Sequence, residues 1–356
     1  MNRIVTVVGA RPQFIKAATL SRQFKLAGIE ELIIHTGQHF DVNMSKIFFE
    51  EMEIPRPAYQ LDIHGLTHGA MTGRMLEGIE AILLKEKPDG VVVYGDTNST
   101  IAGALAASKL HIPVIHVEAG LRSFNMQMPE EINRVLTDRI SNVLFCPTEA
   151  AVANLKKEGF ENMPVRIIKN GDVMQDAAMY YAPKAEQKSD ILKHTGLSKF
   201  VLATIHRQEN TDSSETLRNI ITGLNEINRQ IPVLVPIHPR TRSILTQLNI
   251  VPEFKMIDPL GYFDMIVLLK NCELVITDSG GVQKEAFFFG KHCITLREQT
   301  EWVELVENGY NILVGSDRSK LEKAFESLIK RISDFTIDLY GKGKAAEIAA
   351  KEIYNI

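Results

Sequence analysis

The chain has 356 residues, more than the roughly 250–300 that one hydrophobic core ordinarily serves, and so predicts two domains. Hydrophobic residues make up 45% and charged residues 24%, the composition of a soluble globular protein. A formal net charge of −4 gives no electrostatic reason to expect nucleic acid or an acidic membrane surface as a partner.

The opening run Ile4-Val5-Thr6-Val7-Val8 is almost continuously apolar, as a strand buried on both faces requires. It is too short for a signal segment or a membrane span, and Arg11-Pro12 stops it. Gly9-Ala10 makes a turn, and Pro12 opens a helix predicted to run to about residue 25. A strand over 32–35 and a helix over 44–52 follow. A longer helix is predicted over 69–87, with Met71, Met75, Ile79, Ile82 and Leu83 at helical spacing. A buried strand over 90–94 ends at Gly95-Asp96-Thr97. Then come an Ala-rich helix over 99–109, a strand over 113–117 ending at Glu118, a helix over 129–142 opened by Pro129, and a short strand over 143–146. This βαβα order predicts a parallel, doubly wound sheet.

The pattern then restarts. A strand over 165–169 precedes a polar, linker-like stretch over 183–198. Next are a strand over 200–205 ending at His206, a helix over 213–229 and a strand over 233–237 ending at His238. A strand over 274–276 leads through Gly280-Gly281 into a helix from near Val282. A strand over 294–296 and helices over 320–332 and 345–354 complete the chain. The fold class read from this order is α/β, with two Rossmann-like domains whose parallel sheets face a cleft. The domains are expected at 1–172 and 173–340, with 341–356 a C-terminal helix packing back on the first. Ligands of such sheets bind at the carboxyl ends of strands, where Arg11, Asp96, Glu118, His206, His238 and Ser279 all fall.

The stretch 277–290, TDSGGVQKEAFFFG, has the strongest chemical flavour. Two glycines between strand and helix admit a ligand close to the backbone, and the helix start offers unpaired N–H groups and the positive end of its dipole. Ser279 adds a hydroxyl, and Glu285, one turn in, suits a ribose diol. A diphosphate carrying a nucleoside fits Ser279, Gly280, Gly281 and Glu285; a Gly-rich turn without a ligand is the plainer reading. In GARPQFIK at 9–16, Arg11 and Lys16 are spaced to reach one anion from a helix start, or are simply surface cations. No G-x-G-x-x-G occurs, which argues against a bound nicotinamide.

Asp96 follows a buried strand, and Thr97 or Asn98 can cap the next helix in its place. Glu118 ends a strand where no cap is needed. Glu130 and Glu131 complement a helix dipole, with Glu130 and Arg134 spaced as an i,i+4 pair, though either Glu also suits a general base. His206 is a satisfied structural histidine, a phosphate contact or a proton donor. The spacing of His and carboxylates matches no metal motif. Cys146, Cys272 and Cys293 sit far apart in or beside apolar runs, as buried thiols do, and a reducing cytoplasm is the expected location.

Together these stretches resemble the non-hydrolysing UDP-N-acetylglucosamine 2-epimerases nearly end to end. The marks are GARPQFIK at 9–16, GDTNST at 95–100, HVEAGLRS at 116–123, PEEINR at 129–134, HRQEN at 206–210 and TDSGGVQKEA at 277–286. Within that family, THGAMTGRML at 67–76, SFNMQMPEEINR at 123–134, EAFFFGK at 285–291 and TEWVELV at 300–306 are most similar to enzymes acting on UDP-2,3-diacetamido-2,3-dideoxyglucuronate for surface polysaccharide such as O-antigen. Enzymes for UDP-N-acetylglucosamine itself usually carry Arg-Pro where Trp302-Val303 stands. They also carry a basic residue where Phe40 follows Gln38-His39, near part of an effector UDP-sugar site, so the resemblance does not carry substrate activation over.

The resemblance implies a glycosyltransferase-B-like fold, usually a homodimer, with a UDP-sugar as substrate; with no dinucleotide fingerprint and no metal spacing, no cofactor and no metal are expected. It implies that Ser279, Gly280 and Gly281 bind the diphosphate and Glu285 the ribose. Arg11 and His206 would face the phosphates with Lys16 nearby, while Asp96, Glu118 and Glu131 would surround the sugar, supported by Arg134. Inversion at C2 is the expected reaction, on the diacetamido uronate or alternatively on UDP-N-acetylglucosamine to give UDP-N-acetylmannosamine. A UDP-sugar glycosyltransferase, which needs an acceptor, and a non-catalytic nucleotide-sugar sensor are the competing classes.

Overall fold

The computed structural model describes residues 1–38 and 49–356. The helix expected over 44–52 falls largely, and Phe40 wholly, outside the described residues. Internal contacts divide the chain into a unit of residues 1–177 and 338–356 and a unit of residues 178–337.

The first unit begins with β1 (Arg3–Val8), α1 (Arg11–Ala27), β2 (Glu30–His35), β3 (Tyr59–Gln60) and α2 (His68–Glu86). It continues with β4 (Gly90–Tyr94), α3 (Asn98–Lys109), β5 (Val114–Val117), α4 (Pro129–Ile140), β6 (Val143–Cys146), α5 (Glu149–Lys157) and β7 (Arg166–Lys169). All its strands pair in parallel, in the order β3-β2-β1-β4-β5-β6-β7. Thr6 of β1 lies between Ile33 of β2 and Val92 of β4. The β4 side chains Val91, Val92, Val93 and Tyr94 are all fully buried, which explains their unbroken apolar run. Val5, Val7, Ile34, Ile79, Leu83, Val91 and Val93 belong to one core cluster.

Helix α6 (Val173–Lys188) carries the chain into the second unit. It corrects the reading of 183–198 as a linker: residues up to Lys188 are helical with Pro183 inside, and Ile191–Thr195 forms another short helix. Met174, Ala177, Ala178, Tyr181 and Ala185 are buried at helical spacing, so burial outweighs the hydrogen bond that Pro183 cannot donate.

The second unit has β8 (Val201–Thr204), α7 (Ser214–Asn228), β9 (Val233–Pro236), α8 (Pro239–Gln247), β10 (Lys255–Ile257) and α9 (Tyr262–Asn271). After these come β11 (Leu274–Thr277), α10 (Gly280–Phe288), β12 (Cys293–Thr295), β13 (Asn311–Leu313) and α11 (Arg318–Leu328). The sheet is again parallel, in the order β10-β9-β8-β11-β12-β13. Val201, Ala203, Leu224, Val233, Val235 and Ile276 are among its core residues.

The last helix, α12 (Ala345–Tyr354), packs against α1 in the first unit. Its two leading N–H groups, from Ala345 and Ala346, donate to the Asp176 carboxylate at 3.1 and 2.8 Å. The Asp172 N–H donates to the Tyr340 carbonyl at 2.8 Å. Gly171, at φ +92°, lets the two strands of chain pass this closely: a Cβ there would lie 2.4 Å from the Tyr340 oxygen. Among the described residues no helix is long and apolar enough to cross a membrane.

In both sheets the strand order reverses direction beside the first strand, between β1 and β4 and between β8 and β11. Such a switch point opens a crevice at the carboxyl ends of the two strands. Gly9–Arg11 and Gly95-Asp96 follow β1 and β4; Ile205-His206 and Asp278-Ser279 follow β8 and β11.

Candidate functional site

At the first unit's switch point, Gln13 ties the two strand ends together. Its carbonyl accepts the Gly9 and Ala10 N–H groups at 2.8 and 3.0 Å, and its amide donates to the Tyr94 carbonyl at 2.9 Å. This sets the first turn of α1, where Arg11 is the leading residue. Lys16 lies one turn on, almost wholly buried, with its ammonium donating to Glu118. Lys16 is therefore a partner of a carboxylate, whereas the spacing alone had it sharing an anion with Arg11.

Glu118 follows β5 with φ +72°, the left-handed region that a residue with a side chain occupies at a cost. Beside the pair sits Gly95 at φ +63°; a Cβ there would lie 3.0 Å from Lys16 Nζ and 3.2 Å from Glu118 Oε2. Strained backbone and a forced glycine thus meet at one carboxylate.

Asp96 and Glu131 are joined through Arg134. The guanidinium donates to Asp96 Oδ2 at 2.5 Å and to Glu131 Oε2 at 2.7 Å. Arg134 and Glu131 are buried, whereas the Asp96 side chain is 28% exposed. Glu131 also accepts the Ser123 N–H and hydroxyl at 2.9 and 3.0 Å and the Phe124 N–H at 2.8 Å. Burial alone would push its carboxyl up, but the Ser123 N–H, the Arg134 charge and the Phe124 N–H hold it below the usual range. Asn133 donates to the Asp96 carbonyl at 2.9 Å, so α4 supplies three anchors to this cluster. Asp96, Glu118, Glu131, Lys16 and Arg134 are therefore brought together at the ends of β4 and β5.

In the second unit, α10 begins two residues before the predicted Val282, at Gly280, with Ser279 in the capping position. Gly280 and Gly281 therefore form the first turn itself, whose N–H groups have no partner within the helix. The Ser279 side chain makes no capping bond, which leaves its hydroxyl for other use. Glu285 lies further along the same helix and is buried. The absence of Cβ atoms matters here, because one on Gly280 would come within 2.6 Å of Glu301 Oε1. Glu301 is itself held by Arg297 at 2.9 Å, and Lys284 lies 3.9 Å from the centre of the Trp302 ring.

His206 stands at the end of β8, half exposed, with Nδ1 2.9 Å from Asp278 Oδ1. Asp278 is fully buried and accepts the N–H groups of His206 and Arg207, both at 2.9 Å. Burial opposes its charge, but the His206 ring and these two N–H groups hold its carboxyl below the usual range. Asp278 was missed as a site residue, although its place inside the TDSGG stretch at a strand end was a readable signal. His238, by contrast, caps α8, accepting the Arg240 N–H at 3.3 Å.

A family model described as UDP-N-acetylglucosamine 2-epimerase matches residues 23–354. A UDP-2,3-diacetamido-2,3-dideoxy-D-glucuronate 2-epimerase of Pseudomonas aeruginosa is 57% identical, over 98% of each chain. The crystal structure of the Methanocaldococcus jannaschii UDP-GlcNAc 2-epimerase in complex with UDP-GlcNAc and UDP superposes with a TM-score of 0.93 at 45% identity, covering 99% of this chain and 100% of that one. The Neisseria meningitidis UDP-GlcNAc 2-epimerase bound to UDP-GlcNAc gives a TM-score of 0.90 at 30% identity, covering 99% and 100%. These structures share the glycosyltransferase-B-like pair of parallel α/β sheets. The chain belongs to the UDP-N-acetylglucosamine 2-epimerase family and is an isomerase, a 2-epimerase.

Proposed function

We propose that this enzyme inverts C2 of UDP-2,3-diacetamido-2,3-dideoxy-D-glucuronate to give the manno isomer, by eliminating UDP and adding it back. The observation that carries the reading is the gathering of Asp96, Glu118 and Glu131 with Lys16 and Arg134 at the ends of β4 and β5. The hydrogen on C2 has no neighbouring carbonyl to acidify it, so simple deprotonation is very slow. Elimination removes the difficulty: a base takes H2 while the C1–O bond breaks, and UDP leaves with the electron pair, giving a C1–C2 double bond. A proton then arrives at C2 from the other face, and the UDP oxygen re-forms the bond to C1.

Two demands follow, and each unit suits one. Proton transfer needs carboxylates around the ring, for which Asp96, Glu118 and Glu131 stand ready, with Lys16 and Arg134 paired to them. Retention of free UDP needs fixed donors aimed at the diphosphate. The Gly280 and Gly281 N–H groups, the Ser279 hydroxyl and His206 provide them, with Glu285 on the ribose. The uronate preference is supported by the likeness to the Pseudomonas aeruginosa enzyme. The second reading, UDP-N-acetylglucosamine as substrate, is favoured by the likeness to the Methanocaldococcus jannaschii enzyme.

Turnover of both sugar nucleotides by the purified enzyme separates the readings: the diacetamido uronate should be the faster substrate. In deuterated water the product should carry deuterium at C2, and unlabelled product would sink the elimination route. The enzyme works as a cytoplasmic homodimer supplying surface polysaccharide synthesis. Ile132 and Leu136, one turn apart on α4 and both exposed, support the dimer. Replacing both by Asp should halve the mass seen in sedimentation.

A further inference from the structure

Beneath the carboxylates of the first unit lies a buried network that the proposed chemistry does not use. His116, on β5, is fully buried. Its Nδ1 lies 2.7 Å from Asp138 Oδ1 and its Nε2 lies 2.7 Å from the Gly95 carbonyl oxygen. A carbonyl only accepts, and so does an ionised carboxylate. A neutral imidazole has one N–H, and would set a lone pair against a lone pair at one of these contacts.

Asp138 is in no position to supply the missing proton. Its carboxylate also accepts Arg122 Nη1 at 2.7 Å and the Gly120 N–H at 3.1 Å. A carboxyl group that accepts a guanidinium and a backbone N–H is favoured in its ionised form without help from the ring. On its other side Arg122 is paired with Glu158, at 2.7 and 2.8 Å. Among the described residues, the Lys16–Glu118 pair lies beside Gly95, and the Cys146 thiol on β6 is pushed up by burial and by the Asp138 charge. Two positive and two negative groups, His116 and Arg122 with Asp138 and Glu158, thus balance inside the fold.

The network grips both loops that carry the carboxylates. The Gly95 N–H donates to the Val117 carbonyl at 3.0 Å while its own carbonyl accepts from His116, and Asp96 is the next residue. Asp138 holds the Gly120 N–H, two residues beyond Glu118. A shift of the Gly95 carbonyl would move Asp96 by its covalent bond and Glu118 by its contact.

We propose that His116 is held as an imidazolium and is a positioning residue, fixing the Gly95-Asp96 peptide against the loop of Glu118. The role rests on the reading of Asp96 and Glu118 as proton-transfer groups. It is tested in two arms. With ring-nitrogen-labelled histidine in the whole enzyme, NMR at neutral pH should find one histidine with both nitrogens protonated. Contact of its protons with Gly95, and its loss in His116→Gln, assign it. A neutral ring at position 116 at neutral pH overturns the charge state, whether or not the variant folds.

In the second arm, His116→Gln should lower kcat on the order of 10²-fold, the cost of a misplacement near 1 Å, with KM and UDP affinity little changed. A wild-type rate overturns the positioning role. Glu118→Gln tells the two ideas apart: full activity there overturns the role of Glu118, and positioning with it, whereas a neutral His116 leaves Glu118 in place.

Discussion

The two sheets share one strand order and one switch point, yet their strand ends carry opposite chemistry. In the first unit, Lys16 meets Glu118 and Arg134 meets both Asp96 and Glu131, so full charges face full charges. In the second, the corresponding place holds a glycine-led helix start, a Ser279 hydroxyl that makes no capping bond and a His206 ring backed by a buried Asp278. Paired side chains can give and take protons; fixed dipoles can hold an anion without reacting. The fold decides where a site lies, and the residues after each strand decide what it does.

The largest effect expected from this contrast is at Glu118. Glu118→Gln keeps the shape and removes a carboxylate proposed for proton transfer, so kcat should fall on the order of 10²- to 10⁴-fold. UDP affinity, proposed to reside in the other unit, should stay at the wild-type value in calorimetric titration. Near-normal turnover would remove Glu118 from the reaction, and lost UDP affinity would break the division of labour.

Gly95→Ala should come next. The new Cβ is both strained at φ +63° and pressed on Lys16 and Glu118. Turnover should fall about 10²-fold through displacement of the pair, with UDP binding again spared. An active, equally stable Gly95→Ala enzyme would show that the Lys16–Glu118 contact has room to move.

Asp278→Asn tests the other side of the comparison and should be milder. It removes one charge-assisted contact to His206, worth roughly 1.5 kcal/mol, or about tenfold. The loss should appear in UDP affinity, and deuterium incorporation at C2 should persist. A variant that binds UDP normally and loses deuterium exchange would move His206 from the phosphates to the proton chemistry.

Much of this architecture was legible in the chain because buried parallel strands read as apolar runs. Residues 4–8, 90–94 and 143–146 are of this kind. The strands that escaped are short or polar at the edge: Tyr59–Gln60 carries no apolar run at all, and Lys255–Ile257 and Asn311–Leu313 have only three residues each. Helix α6 was hidden by Pro183, whose local cost is overridden by tertiary burial that no local pattern reports. The polar residues at strand ends were visible one by one. Their pairing was not: nothing in the spacing says that Lys16 turns to Glu118, or that Arg134 forks between Asp96 and Glu131. His116 and Asp138 lie inside an apolar strand and an ordinary helix, where a histidine or aspartate carries no signal until its partners are known.

Asp176 should show the smallest effect on turnover, none, and so provides the control for the first unit. Its carboxylate caps α12, far along the chain from the carboxylates proposed for proton transfer. Burial raises its pKa from the ordinary 3.8 to about 6, against the pull of the Ala346 and Ala345 N–H groups. The folded state therefore holds this proton more tightly than the unfolded chain. The stability gained from it is complete below the unfolded value and is lost as pH rises through about 6. Asp176→Asn cannot titrate and gives up one of the two acceptors, so it should melt lower than wild type throughout. The gap in Tm should narrow by a few degrees between acid and neutral pH, while kcat stays unchanged. A gap that widens with pH would mean that the carboxylate is stabilised as the anion, by the helix start it caps, more strongly than burial penalises it.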